Sequence, residues 1–145
     1  LPCQLRIIGQ LSDAQRARLA ARRIDYSNAW NLSDRDIIAE YQQCDLLLFP
    51  SLSEGFGMPI IEAQATGRPV VTSNRQPMVD TAGAAGAALV DPDNPAAIRA
   101  AIDRVIGDDD YRRGLVAAGR KNAARFAAAA IARRYSDIYR QLQAP

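Results

Sequence analysis

Histidine is absent from this sequence, and lysine occurs once, as Lys121. The first absence removes the side chain that most often moves protons or ligates metals near neutral pH, so any chemistry must rest on carboxylates and bare backbone. The second excludes a P-loop, which needs a glycine-rich loop ending in lysine and then serine or threonine, whereas Lys121 falls inside a helical stretch. Cysteine is scarce too: Cys3 and Cys44 offer neither metal-ligand spacing nor a disulfide framework, and read as packing residues of a reducing compartment. No apolar run approaches the ~18 residues of a spanning helix, and the amino terminus lacks a signal-peptide pattern. The chain is therefore expected to be soluble and cytoplasmic. A large charge excess is also missing, since 18 basic and 16 acidic side chains leave +2, far from the footprint of a nucleic-acid partner.

What is present is ordinary globular material: 48% hydrophobic and 23% charged residues over 145 positions, enough for a single domain spanning 1–145 that buries roughly 70% of its unfolded surface. Charge is uneven along it. Residues 99–145 carry 10 basic and 5 acidic groups; the plain reading is solvated helix faces, the sharper one contact with an anionic partner or the inner face of a membrane. Strand and helix signals alternate. Apolar runs at "LRIIG" (5–9), "IDYSN" (24–28), "DLLLFP" (45–50), "PVVTSN" (69–74) and "AALVDP" (87–92) read as strands. Helical patterns lie between them, opened by Ser12 and Ser33 as caps. After residue 92 only helices follow, the last with an apolar stripe of Ile131, Tyr135, Ile138, Tyr139 and Leu142. Gly114 and Gly119 weaken the helix before it unless close packing explains them. The alternation predicts an α/β fold: a Rossmann-like parallel sheet with helices on both faces and a C-terminal helical segment.

The informative stretch is "SEGFGMPIIEA", residues 53–63. It follows the 45–50 run, which reads as the most buried strand, so the loop from Ser51 to Gly57 falls where open α/β sheets keep their ligand crevice. Pro59 suits the first turn of a helix and Gly67 its C-terminal cap. The amino end of that helix presents unpaired N–H groups and about half a unit of positive charge, an arrangement that holds phosphate without lysine. Gly55 and Gly57 let a ligand approach the backbone. Glu62, about one turn into the helix, is placed to accept from a pair of ribose hydroxyls, and Glu54, on the other side of the phosphate position, from the hydroxyls of a sugar. The plainer alternatives are a solvated loop acid and an exposed helix acid.

Two glutamates with seven residues between them, inside "FPSLSEGFGMPIIEAQATGRPVVTSN", closely resemble the signature of GT-B-fold retaining glycosyltransferases of the family 4 (group 1) type. "LRIIG", "NLSDRDIIAEYQQCDLLLFPS", "AALVDPDNPAAIRAAI" and "RFAAAAIARRYSDIYRQL" are similar to segments of the same family, so the resemblance covers nearly the whole chain. It implies the C-terminal half of a GT-B fold, the half that binds a nucleotide diphosphate sugar. By the same resemblance Glu62 binds the donor's ribose and Glu54 lies against the transferred sugar as the candidate catalytic residue. Gly55, Phe56 and Gly57 present backbone to sugar and diphosphate, and Met58, Pro59, Ile60 and Ile61 open the helix whose available amides, Pro59 excepted, face the diphosphate. No metal, no cofactor and no protein nucleophile on this domain are implied.

Some features depart from the family pattern. Asn28 stands where the family often has glycine near the base. The resemblance implies a further domain ahead of this one, holding a saccharide or lipid-linked acceptor, together with a basic pair that contacts the diphosphate. Arg6 is not in that context, and Arg75 reads as a solvated loop residue. These residues are thus expected to be the donor-binding part of a longer enzyme, binding nucleotide weakly and transferring nothing when isolated, with the last helix exposed. A dinucleotide-binding dehydrogenase wants a third glycine where Ile60 stands. A non-catalytic nucleotide-binding or interaction domain retaining the fold is the remaining alternative.

Overall fold

The computed structural model describes residues 3–143, and the chain divides between Glu40 and Tyr41 into two compact units. In the first, strands β1 (Leu5–Ile8) and β2 (Tyr26–Ala29) pair in parallel, with Leu5 opposite Tyr26 and Ile8 opposite Ala29. Helix α1 (Asp13–Ala21) connects them and starts at a capping box. The Gln15 N–H donates to Ser12 Oγ at 3.2 Å and the Ser12 N–H to Gln15 Oε1 at 2.8 Å, satisfying two donors that a helix start leaves open. Helix α2 (Asp34–Gln43) opens in the same way on Ser33 and Asp36. Hydrogen bonds from the Ser33 hydroxyl and amide hold the Asp36 carboxyl below its ordinary value. Arg6 and Glu40 form a two-point ion pair. The Asn28 amide donates to Ile7 O at 2.9 Å and Gly9 O at 2.8 Å, clamping the end of β1, a task glycine could not perform.

The second unit is a three-layer sandwich built on a parallel sheet of order β3-β4-β5. Its strands are Leu47–Phe49, Val70–Ser73 and Ala88–Val90, with Leu47 opposite Val70 and Val71 opposite Ala88. Because successive strand residues face opposite sides, Val70 packs with Ile60 and Ala63 of α3 (Met58–Ala65) and Met78 and Ala82 of α4 (Met78–Ala82). Val71, Ala88 and Val90 pack on the other face with Val105 of α5 (Pro95–Gly107) and Leu115 of α6 (Asp109–Ala123). The predicted parallel strands with helices on both faces are therefore present. The burial ranking differs from the sequence expectation: β3 is only half-buried, whereas β4 is buried at every residue. The middle strand of this sheet is flanked on both edges and covered on both faces, and length of apolar run alone does not reveal that.

Helix α3 ends in a Schellman motif. Gly67, at φ 76°, turns the chain while its N–H donates to Gln64 O at 3.1 Å and the Arg68 N–H to Ala63 O at 2.8 Å. Helix α6 is continuous through both of its glycines. Gly119 is there for packing, since a Cβ would lie 2.9 Å from Gln64 Cγ, while Gly114 faces open space and has no such reason. After a 3₁₀ turn (Ala124–Phe126), α7 (Ala128–Gln143) keeps the predicted stripe but leaves all of it except half-buried Ile131 exposed: Tyr135 is 60% exposed and Leu142 77%.

Candidate functional site

The loop between Phe49 and Met58 leaves the carboxyl end of β3 and enters α3. Three hydroxyls fix its path. Thr72 Oγ1 donates to Phe49 O at 2.8 Å, Ser73 Oγ to Ser51 O at 2.5 Å, and Thr81 Oγ1 to Phe56 O at 2.6 Å. All three donors are buried, so these bonds are shielded from competing water. The Phe56 ring, partly exposed, meets Phe126 edge-on with centroids 5.6 Å apart.

Gly57 caps α3 at φ 90° and ψ 43°, a left-handed conformation open to glycine at little cost. A Cβ there would also come within 3.2 Å of Ile60 Cδ1, whereas at Gly55 nothing lies within 4 Å of that position. Pro59 falls in the first turn, where no donor is lost. The Ile60 N–H already donates to Gly57 O at 3.0 Å. Among the described residues the N–H groups of Gly55, Phe56, Gly57 and Met58 donate to no protein acceptor. Gly57 is itself buried, and a buried amide without an acceptor is rare in folded proteins. Ile60 and Ile61 are core residues, so their side chains pack and only their backbone belongs to the turn.

Glu62 is half-buried, about 6 Å along the helix axis from Met58. Its Oε2 accepts from the Tyr41 hydroxyl at 2.9 Å. Burial first, and then this bond, push the Tyr41 phenol above its ordinary value, so it stays a donor. A carboxylate has roughly four acceptor directions, which leaves Glu62 free to take further hydroxyls. Glu54 is half-buried and, among the described residues, makes no hydrogen bond or ion pair. Arg75 pairs with Asp93 at 2.5 Å and stays partly exposed, in keeping with a loop cation.

Tyr41 and Thr81 were not visible as site residues in the sequence. Nothing at the level of spacing shows that the Tyr41 hydroxyl reaches Glu62. A hollow of about 400 Å³ lies against Ile61, Ala65, Arg120 and Phe126, and one of about 410 Å³ against Ile7, Leu11 and Gln15 in the first unit. Neither is lined by residues 53–59.

Residues 2–122 match the family described as glycosyl transferases group 1. The chain is 37% identical over 106 residues to a D-inositol 3-phosphate glycosyltransferase of Corynebacterium kroppenstedtii, covering 72% of this chain and 23% of that protein. It is 38% identical over 93 residues to the O-antigen chain mannosyltransferase B of Escherichia coli, covering 64% of this chain and 24% of the relative. The fold is similar to sucrose-phosphate synthase from Thermosynechococcus elongatus, with a TM-score of 0.82, 26% identity, and coverage of 96% of this chain and 38% of that structure. The chain thus spans about a quarter of the length of these curated relatives, and its α/β architecture is that of the C-terminal half of a GT-B fold. With the family match and the fold in agreement, this chain belongs to the group 1 glycosyl transferases.

Proposed function

We propose that the chain is the donor-binding part of an enzyme that transfers a sugar from a nucleotide diphosphate sugar to an acceptor with retention of anomeric configuration. The observation that carries this reading is the run of four unengaged amides, Gly55 to Met58, lying in sequence between Glu54 and Glu62. Four donors in succession at a helix start match the chemistry of a diphosphate, whose oxygens accept without competing as donors. Glu62, steadied by Tyr41, accepts from the ribose hydroxyls. Glu54 accepts from the hydroxyls of the sugar to be transferred.

When the bond between the anomeric carbon and the diphosphate oxygen breaks, negative charge grows on the departing diphosphate. Donors already aimed at that position stabilise it with no reorganisation at the moment of reaction. In this reading the amides and the helix dipole meet that charge, and neither a metal nor a protein nucleophile is required. The names of the relatives, an inositol phosphate glycosyltransferase and an O-antigen chain mannosyltransferase, favour saccharide or polyol acceptors; in this reading the acceptor, a saccharide or a lipid-linked one, is held outside these residues. Arg133 and Arg134 are exposed on α7, while Arg140 pairs with Asp137 at 2.8 Å; the two arginines suit contact with an anionic membrane surface at the inner leaflet.

Titration of the chain with UDP, GDP and ADP, followed by backbone amide shifts, tests the proposal. The expected result is movement at residues 55–58 and 62 for one of the three nucleotides. Movement confined to other residues would assign nucleotide binding elsewhere and leave a non-catalytic domain as the better account.

A further inference from the structure

We infer that Thr81 is a positioning residue for the diphosphate, acting through the peptide between Phe56 and Gly57; this rests on the donor-binding reading above. The Thr81 hydroxyl donates to Phe56 O at 2.6 Å. The Phe56–Gly57 peptide is trans, and in a planar trans peptide the carbonyl and the following N–H point in opposite directions. Pinning Phe56 O toward α4 therefore turns the Gly57 N–H to the other side of the loop, and that amide has no protein acceptor among the described residues. Gly57 adopts φ 90°, so its chain direction is set by the same peptide plane.

Thr81 can impose this orientation because it is itself held from behind. Its own carbonyl accepts from Asn122 Nδ2 at 2.7 Å, and the same nitrogen donates to Gln64 Oε1 at 2.8 Å. Gln64 Nε2 donates in turn to Ala82 O at 2.8 Å and Gly86 O at 3.1 Å. Gln64 and Asn122 are both buried, and the knot joins α3, α4 and α6. The backbone gives way around it: a Cβ on Gly83 would stand 2.6 Å from Asn122 Oδ1, and one on Gly86 would stand 2.5 Å from Gln64 Nε2. A buried, fully paired polar cluster of this kind fixes one geometry, since any other leaves groups unpaired. The chain of contact from α6 to the loop is thus Asn122, Thr81, Phe56, Gly57.

The test uses the full chain and whichever of UDP, GDP or ADP it binds, compared with the matching monophosphate. Thr81→Val should lower the ratio of diphosphate to monophosphate affinity by about five- to tenfold, the worth of one well-aimed hydrogen bond to an anion, and Thr81→Ser should restore it. A merely structural loss would weaken both nucleotides alike and leave the ratio unchanged. In the unsubstituted chain, diphosphate should shift the Gly57 amide proton and monophosphate should not, which tests the idea even where Thr81→Val fails to fold. If Glu62→Gln weakens both nucleotides while Thr81→Val leaves the ratio intact, the positioning role is overturned and the donor-binding reading stands. If none of the three diphosphates binds, both fall together.

Discussion

Tyr41, near the end of α2, holds Glu62 of α3 through a single hydrogen bond of 2.9 Å from phenol to carboxylate. Glu62 is therefore neither a free surface acid nor a sealed core acid. One oxygen is anchored by a half-buried donor, and the carboxylate is set in a chosen orientation before any ligand arrives, which reduces the entropy lost on binding.

Replacing Glu62 with Gln should weaken nucleoside diphosphate binding by about 1.5–3 kcal/mol, the range for hydrogen bonds to a charged group. Calorimetric titration of both proteins measures the difference, and equal affinities would take Glu62 out of the site.

Tyr41→Phe should have a smaller effect, about 0.5–1.5 kcal/mol on the same binding, and it should vanish in a Glu62→Ala background, which removes the acceptor. Additive losses would show that Tyr41 works by another route. The phenol also sets a pH dependence. Its proton is held more tightly folded than unfolded, so the contribution to stability is complete below about pH 10 and declines as pH rises above that value. Denaturant titrations between pH 9 and pH 11, at about the range where free tyrosine ionises, should show that decline in the native chain and less of it in Tyr41→Phe.

Gly57→Ala combines an unfavourable left-handed backbone with a contact of 3.2 Å to Ile60 Cδ1. It should cost about 1–3 kcal/mol of stability and remove diphosphate binding. Gly55→Ala, facing open space, should leave thermal stability nearly unchanged, and a drop in Tm as large as that of Gly57→Ala would contradict the geometry.

Asn122→Ala should destabilise the chain by about 2–4 kcal/mol, since it leaves the Thr81 carbonyl and Gln64 Oε1 without their shared donor. Thermal or chemical unfolding measures it. A change below about 0.5 kcal/mol would place the substitution among ordinary surface replacements and argue against a structural knot.

In a complete enzyme, Glu54→Gln should lower the rate of sugar transfer while nucleotide affinity stays close to that of the unsubstituted protein. Glu54 has no protein partner among the described residues, so the loss of its charge should be felt mainly where the donor sugar lies. Comparable losses in rate and in affinity would rule out that division between the two glutamates.

The alternation of strands and helices, the helix starts at Ser12 and Ser33, the cap at Gly67 and the loop from Ser51 to Gly57 are legible in the chain's local pattern, because each depends on neighbours within a few residues: period, capping side chains and glycine dihedrals. The sequence also displays the two glutamates and their spacing. Tertiary structure alone decided that β4 and not β3 is the buried middle strand, that Asn28 clamps β1, and that Tyr41 finds Glu62. It also tied Gln64 to Asn122 across 58 positions of chain and Thr81 to the Phe56 carbonyl. Such contacts are invisible to local pattern because a hydroxyl or amide is equally at home in water, and its partner is chosen only when packing of the helices on the sheet brings distant groups together and shuts the solvent out.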